Sequence, residues 1–88
     1  MISLTDQGFD PGPLLSGFCR GRAETGAVAS FTGLARAEGG ETRILELEAY
    51  PGFTEAQIGA IAETAKTRFD LQDLMIVHRI GQIAPGEP

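Results

Sequence analysis

Apolar and polar residues alternate in short runs along this chain, and the runs predict several strands. Apolar side chains occupy every second position of residues 44–50, which predicts a strand with one face in water. The run 27–32 is small and β-branched around a single phenylalanine, and it predicts a mostly buried strand. Residues 74–77 are continuously apolar, which indicates an interior strand that continues to residue 83. Residues 2–5 predict a short first strand.

Two further segments carry helix signals. Asp10 followed by Pro11 predicts an N-cap and a proline at the first helical position, and Gly21 is placed to end this helix. Apolar residues recur at helical spacing over residues 54–69, and Thr54 begins a capping-box spacing. The predicted order is strand, helix, strand, strand, helix, strand, so the fold class is α+β.

Composition narrows the class of protein. Eighty-eight residues predict one domain, spanning residues 1–88. A net charge of −5, from twelve acidic and seven basic residues, argues against nucleic acid and against an anionic membrane surface as partners. The single Cys19 fits a reducing compartment, and neither a signal peptide nor a long apolar run is evident. No metal-ligand spacing or cofactor fingerprint is present, so we expect a cytoplasmic protein without a cofactor or metal.

Arg36 is the strongest candidate for chemistry. It lies where a predicted strand meets a glycine-rich loop, after Gly33 and before residues 39–40. A guanidinium group there suits a planar carboxylate or a phosphate, and the glycines leave backbone amides open beside it. The alternative is a solvated loop arginine paired with Glu38 or Glu41, and the residues alone leave both open.

Other polar residues have simpler explanations. His78 and Arg79 are consecutive on a predicted strand, so they should face opposite sides and serve different sites. A histidine at the end of an apolar strand is most often a packed side chain. Glu46 and Glu48 are interpreted as a solvated strand face rather than a paired acid and base.

Three segments, at residues 26–36, 45–54 and 77–86, resemble consecutive motifs of one known family. They read GAVASFTGLAR, LELEAYPGFT and VHRIGQIAPG, and they follow the order and spacing of the large catalytic subunit of molybdopterin synthase, the MoaE family. The resemblance covers roughly residues 26–88 and implies the α/β-hammerhead fold of that family.

The resemblance also implies an activity and partners. Members convert cyclic pyranopterin monophosphate to molybdopterin in molybdenum cofactor biosynthesis. The sulfur comes from a thiocarboxylate on the tail of a small ubiquitin-like subunit. The implied assembly is a heterotetramer, in which a homodimer of large subunits carries one small subunit at each end.

Site residues follow from the same resemblance. Leu34, Ala35 and Arg36 match the family's substrate-binding loop, so Arg36 would bind an anionic group of the substrate or of the partner's tail. The family's two catalytic lysines and second His-Arg pair have no counterpart in residues 1–88, and Lys66 matches neither lysine. We therefore expect no catalytic residue here. The chain is predicted to be the N-terminal part of a large subunit and to be inactive alone.

A turn predicted at residues 84–87 supports that expectation, because a turn after a buried strand normally leads to another strand. Two alternatives stay open. The predicted order is also that of the ferredoxin-like βαββαβ fold, which would suit a non-enzymatic domain that binds a small ligand or a protein. The second alternative is a relative that keeps the family fold but acts only as a protein-interaction partner.

Overall fold

The computed structural model describes residues 1–36, 45–48, 50 and 52–88. Strands and helices are mixed in this part of the chain, in agreement with the α+β class. The elements are β1 (Ile2–Thr5), α1 (Pro11–Cys19), β2 (Leu45–Leu47), α2 (Phe53–Arg68), β3 (Ile76–Arg79) and β4 (Gly81–Ile83). This order of described elements differs from βαββαβ, so it lends no support to the ferredoxin-like alternative.

The strands form two pairs. β1 lies parallel to β3, with Ile2 opposite Ile76 and Thr5 opposite Arg79. A parallel pair needs a long crossover, and here the chain between the two strands carries both helices. β2 lies antiparallel to β4. Helix α2 packs on β1, where a Cβ added at Gly59 would lie 3.8 Å from Cδ1 of Ile2.

The single strand predicted from residue 74 to residue 83 is wrong, because the structure divides it. β3 ends at Arg79 and β4 begins at Gly81, whose φ is +80°. Glycine adopts this left-handed conformation without a Cβ penalty. The chain therefore changes direction at this point, and β4 pairs with β2 instead of continuing along β1.

The start of α1 confirms the predicted cap. Asp10 has extended backbone angles, and its Oδ1 accepts a hydrogen bond from the Gly12 amide at 3.1 Å. Pro11 occupies the first turn, where its missing N–H costs nothing. Gly21, with φ of +75°, follows the end of the helix as predicted.

Helix α2 starts and ends within one residue of its predicted bounds, but its N-terminus differs from the expected capping box. Gly52 is the N-cap and provides no side chain. The hydroxyl of Thr54 instead accepts a hydrogen bond from the Tyr50 amide at 2.9 Å. The amides of Phe53 and Thr54 both donate to the Tyr50 carbonyl, so the residues before the helix form a hydrogen-bonded turn.

The buried strand predicted at residues 27–32 is also wrong. No described strand lies beside this run, and Phe31 is 94% exposed. A β-prone composition favours a strand only where a neighbouring strand completes the ladder. We refer below to residues 25–36, which cross the surface without regular structure, as the spanning segment.

The hydrophobic core is small. Ala62 and Ile83 are the buried apolar residues of the described chain. Large apolar side chains remain exposed at Met1, Leu15, Val28, Phe31, Leu34, Tyr50, Phe53, Ile61, Phe69 and Leu71. The accessible surface is 6757 Å², whereas a compact chain of 9.3 kDa exposes about 5,000 Å². The excess, about 1,800 Å², is about twice the roughly 800 Å² that one partner contributes to a standard protein–protein interface.

Candidate functional site

An open, largely apolar groove lies between α1 and the spanning segment. Leu14 and Phe18 of α1 line it, together with Val28, Val77 of β3 and Ile83 of β4. Charged or titratable residues also line the groove, namely Arg22, Asp70, Asp73, His78, Arg79 and Glu87. Apolar walls with a few polar groups are typical of sites for small organic ligands.

The predicted substrate-binding loop lies at one end of the spanning segment. Leu34 and Ala35 line the groove, and Arg36 is exposed. The Ala35 amide donates to the Glu87 carbonyl at 2.9 Å, and the Gly86 amide donates to the Ala35 carbonyl at 2.7 Å. The loop is therefore fastened to a segment about fifty positions further along the chain, a connection that no local pattern indicates.

That segment is the turn predicted at residues 84–87, which the structure confirms. The Glu87 amide donates to the Ala84 carbonyl at 3.1 Å, and Oε1 of Glu87 accepts from the Ala84 amide at 2.8 Å. Gly86 has φ of +89°, a conformation that favours glycine. The turn is closed by both the backbone and the side chain of Glu87.

Arg79 lies beneath the turn and is nearly buried, with 10% of its side chain exposed. Its Nη2 donates to the Gln82 carbonyl at 3.0 Å. Nη1 lies 3.5 Å from Oε2 of Glu87, as an ion pair without hydrogen-bond alignment. Among the residues that the structure describes, Nε and Nη1 have no hydrogen-bond partner. A desolvated cation is costly without a counter-charge, so Glu87 stabilises Arg79 at this position.

The electrostatics of Glu87 agree with this arrangement. The hydrogen bond from the Ala84 amide holds the pKa of Glu87 below its usual value, and the charge on Arg79 lowers the pKa further against the effect of desolvation. Glu87 is therefore a carboxylate at neutral pH, as the ion pair requires.

The far end of the groove contains a second ion pair. Nη2 of Arg22 lies 2.7 Å from Oδ2 of Asp73, and the guanidinium of Arg22 stacks 4.1 Å from the centre of the Phe18 ring. The Nε of Arg22 also donates to the Phe18 carbonyl. The Arg22 hydrogen bond, followed by one from the Leu74 amide, lowers the pKa of Asp73. Next to this pair, the Thr25 hydroxyl contacts Oε1 of Gln72 at 2.7 Å.

The spanning segment is therefore attached at both ends and not in between. Arg22 and Thr25 hold its start, and Ala35 holds its end. No residue from 26 to 34 forms a backbone hydrogen bond within the described chain. Sequence reasoning missed both attachments, because each joins residues that are distant in the sequence.

The other polar residues considered from the sequence differ in how exposed they are. His78 is exposed, contrary to the packed side chain that the sequence predicted, while Arg79 next to it is nearly buried as an alternating strand requires. Glu46 and Glu48 are both exposed, which confirms the solvated face. The loop predicted at residues 37–40 lies outside the described residues, as do Glu41, Ala49 and Pro51.

The described ranges contain neither a cluster of metal ligands nor a helix that could span a membrane. No three His, Cys, Asp or Glu side chains there lie close enough together to hold a metal ion. Neither α1 nor α2 combines the length and the apolar character that crossing a membrane requires.

Comparison with known proteins identifies similar sequences. A family model described as MoaE protein matches residues 4–88. The molybdopterin synthase catalytic subunit of Caulobacter vibrioides is 68% identical over 87 residues, which cover 99% of this chain and 58% of that protein. The subunits of the same name from Mesorhizobium japonicum and Pseudomonas aeruginosa are 48% and 42% identical, over 98% and 99% of this chain. This chain spans a little over half the length of these relatives, at 54% to 59%. No solved structure matches it.

Proposed function

The chain belongs to the MoaE protein family, and we propose that it acts in molybdenum cofactor biosynthesis as part of the large, catalytic subunit of molybdopterin synthase. The complete enzyme converts cyclic pyranopterin monophosphate to molybdopterin in the cytoplasm. A small ubiquitin-like subunit supplies the sulfur as a thiocarboxylate. The part played by residues 1–88 is to bind and orient the substrate.

The observation that carries this proposal is the position of the substrate-binding loop at the end of an apolar groove. Leu34 and Ala35 line that groove, and Arg36 follows them directly. A fused pterin ring system has apolar faces that suit such walls, and its cyclic phosphate is an anion that suits a guanidinium group. Because residues 1–88 carry a net charge of −5, a local cation would help to attract an anionic substrate.

Arg36 binds one of two anions in this proposal. The first is the cyclic phosphate of the substrate, and the second is the thiocarboxylate at the end of the partner's tail. Both are recognised by the same bidentate donors. The two possibilities differ in which reactant's apparent affinity falls when Arg36 is replaced.

The groups that perform the sulfur chemistry lie outside residues 1–88 in this proposal. Lys66 is exposed on α2 and is not among the residues that line the groove. It also matches neither of the lysines that the family resemblance implies for proton transfer or a covalent step. The chain then represents the N-terminal part of a large subunit, and residues 1–88 alone should not form molybdopterin.

Exposed apolar surface supports the proposed partners. The excess of about 1,800 Å² over a compact chain is about twice the roughly 800 Å² that one partner contributes to a standard interface, so it can accommodate both the rest of the large subunit and a partner. A homodimer of large subunits with a small subunit at each end would cover surface of this kind. The exposed Phe31 and Leu34 lie on the spanning segment, next to the proposed substrate loop.

The decisive experiment measures molybdopterin formation by the full-length protein with its thiocarboxylated small subunit. We expect Arg36→Ala to lower kcat/KM by at least about tenfold, because a charge-assisted contact to an anion is lost. Arg36→Lys should recover part of the loss. Arg20→Ala is the matched control, since Arg20 is also exposed and its hydrogen bond to the Gly17 carbonyl is made by the backbone amide. Equal activity of Arg36→Ala and Arg20→Ala would refute the proposed role.

The protein-interaction alternative makes a different prediction. A relative that keeps only the binding role would bind the small subunit without transferring its sulfur. No feature of the described residues favours that alternative over the synthase. Titration calorimetry with the small subunit, run beside the turnover assay, separates the two.

A further inference from the structure

Glu87 connects two features of the site through different atoms. Its backbone carbonyl accepts the Ala35 amide at 2.9 Å, and its Oε2 faces Nη1 of the nearly buried Arg79 at 3.5 Å. Its Oε1 accepts the Ala84 amide, which closes the turn. The side chain of Glu87 thus closes the turn and faces a nearly buried cation, while its backbone carbonyl holds the binding loop. Glu87 is therefore placed to control the position of that loop.

We propose that Glu87, anchored by Arg79, is a positioning residue that sets the conformation of residues 34–36 and thereby aims the Arg36 guanidinium at its anion. This inference deepens the proposed function and rests on it. Glu87 acts through the backbone of Ala35 and not by touching the substrate.

Arg79 is a suitable anchor because its own position is fixed. It lies on β3 opposite Thr5 of β1, and Nη2 is bound to the Gln82 carbonyl. A Cβ added at Gly8 would lie 3.6 Å from Nη1, so the loop after β1 closes over the guanidinium. Within the described chain, Glu87 is the acidic residue that forms an ion pair with this cation. Since Nε and Nη1 find no hydrogen-bond partner in the described part of the chain, the cation depends on that carboxylate.

The link from the turn to Arg36 is short. The Gly86 amide and the Glu87 carbonyl both engage Ala35, at 2.7 and 2.9 Å. Adjacent Cα atoms are about 3.8 Å apart, so the backbone of Arg36 cannot shift independently of Ala35. A displacement of the turn therefore moves the start of the Arg36 side chain.

The simplest competing explanation is that Glu87 only stabilises its own turn. In that case its loss would lower the melting temperature slightly but would leave the loop's protection and the affinity for substrate unchanged. Two readouts that respond to loop position, and not to stability alone, distinguish the explanations. They are amide hydrogen exchange at Ala35 and the separation of KM from kcat.

Three variants of the full-length protein form the test. Glu87→Gln keeps an oxygen that can accept the Ala84 amide but removes the charge that faces Arg79. Glu87→Asp keeps the charge on a shorter side chain. Glu63→Gln is the control, because it removes the same charge from an exposed position on α2. Circular dichroism establishes that each variant is folded before comparison.

In Glu87→Gln we expect amide exchange at Ala35 and Gly86 to be about tenfold faster. We expect KM for cyclic pyranopterin monophosphate to rise about three- to tenfold, with kcat changed by less than about twofold, because the loop contributes to binding and not to the chemical step. Glu87→Asp should fall between Glu87→Gln and the native protein. Glu63→Gln should match the native protein in both measurements.

Two results would overturn the inference. Unchanged exchange at Ala35 and Gly86 in Glu87→Gln would show that the carboxylate does not hold the loop. Faster exchange with an unchanged KM would show that the loop is held but that its position does not matter for binding. Exchange requires no substrate, so it tests the Glu87 contact even if Arg36→Ala retains full activity and the proposed function itself fails.

Discussion

Arg22 and Asp73 are 51 positions apart in the chain, and their side chains meet at 2.7 Å. The contact joins the residues after α1 to those before β3. Together with the bond between Ala35 and Glu87, it fastens the spanning segment across the groove. The site is thus held by two long-range contacts, and each can be tested separately.

Replacing Arg22 with alanine should lower the melting temperature by a few degrees. The substitution removes the ion pair with Asp73, the hydrogen bond to the Phe18 carbonyl and the stacking on the Phe18 ring. Differential scanning calorimetry measures the change. Arg20→Ala is the control, because Arg20 is exposed on the same part of the chain. Equal melting temperatures for the two variants would contradict a structural role for Arg22.

The same ion pair predicts a dependence of stability on pH. The folded pKa of Asp73 lies below the reference value of 3.8, so its contribution is present above that value and is lost as the pH falls through the folded pKa. Asp73→Asn should therefore melt below the native protein at pH 7, and the difference should shrink as the pH falls from 4 towards about 2. Thermal melts over this range check the sign. A difference that grows on acidification would refute it.

Gly81 separates β3 from β4, and its replacement tests whether the backbone conformation at this position requires glycine. Gly81→Ala should lower the free energy of unfolding by about 1–2 kcal/mol, because alanine is strained at a φ of +80°. Steric crowding does not contribute, because the new Cβ would lie 3.8 Å from the Asp6 Cβ, which is an ordinary van der Waals contact. Gly17→Ala is the matched control inside α1, where alanine meets nothing within 4 Å and should be neutral or stabilising. Urea unfolding measures both variants.

Local signals predicted the helices well. Asp10 before Pro11 fixed the start of α1, and the apolar spacing located α2 to within one residue at each end. The predicted turn at residues 84–87 formed as well. These features depend on side chains and backbone within about four positions of each other, and such information is present in any short window of sequence.

The features that were missed depend on distant partners or on a glycine's conformation. Residues 27–32 have a strand-like composition, but no described strand lies beside them. Gly81 lies in the stretch predicted to continue the strand from residue 74 to residue 83, and only the backbone reveals its positive φ. The site loop was predicted from motif resemblance, whereas its attachment to Glu87 and the burial of Arg79 required the packed chain.

The spanning segment exposes large apolar side chains to solvent. Phe31 is 94% exposed, so Phe31→Ser removes almost no packing within the chain and should leave its melting temperature nearly unchanged. If this surface is covered by a partner, the same substitution should weaken association of the full-length protein, with itself or with the small subunit, by about tenfold or more, since exposed aromatic side chains are frequent binding anchors. Analytical ultracentrifugation measures the first association and calorimetry the second.

Phe69→Ser is the control for that experiment. Phe69 is also exposed, at 66%, but it follows the end of α2 and is not among the residues that line the groove. Loss of association in Phe31→Ser alone would identify the spanning segment as an interface. Equal loss in both variants would indicate a general hydrophobic effect, and no loss in either would show that neither association depends on Phe31. The comparison works because both variants delete a phenyl ring that the described chain leaves mostly in solvent, so folding and association respond separately.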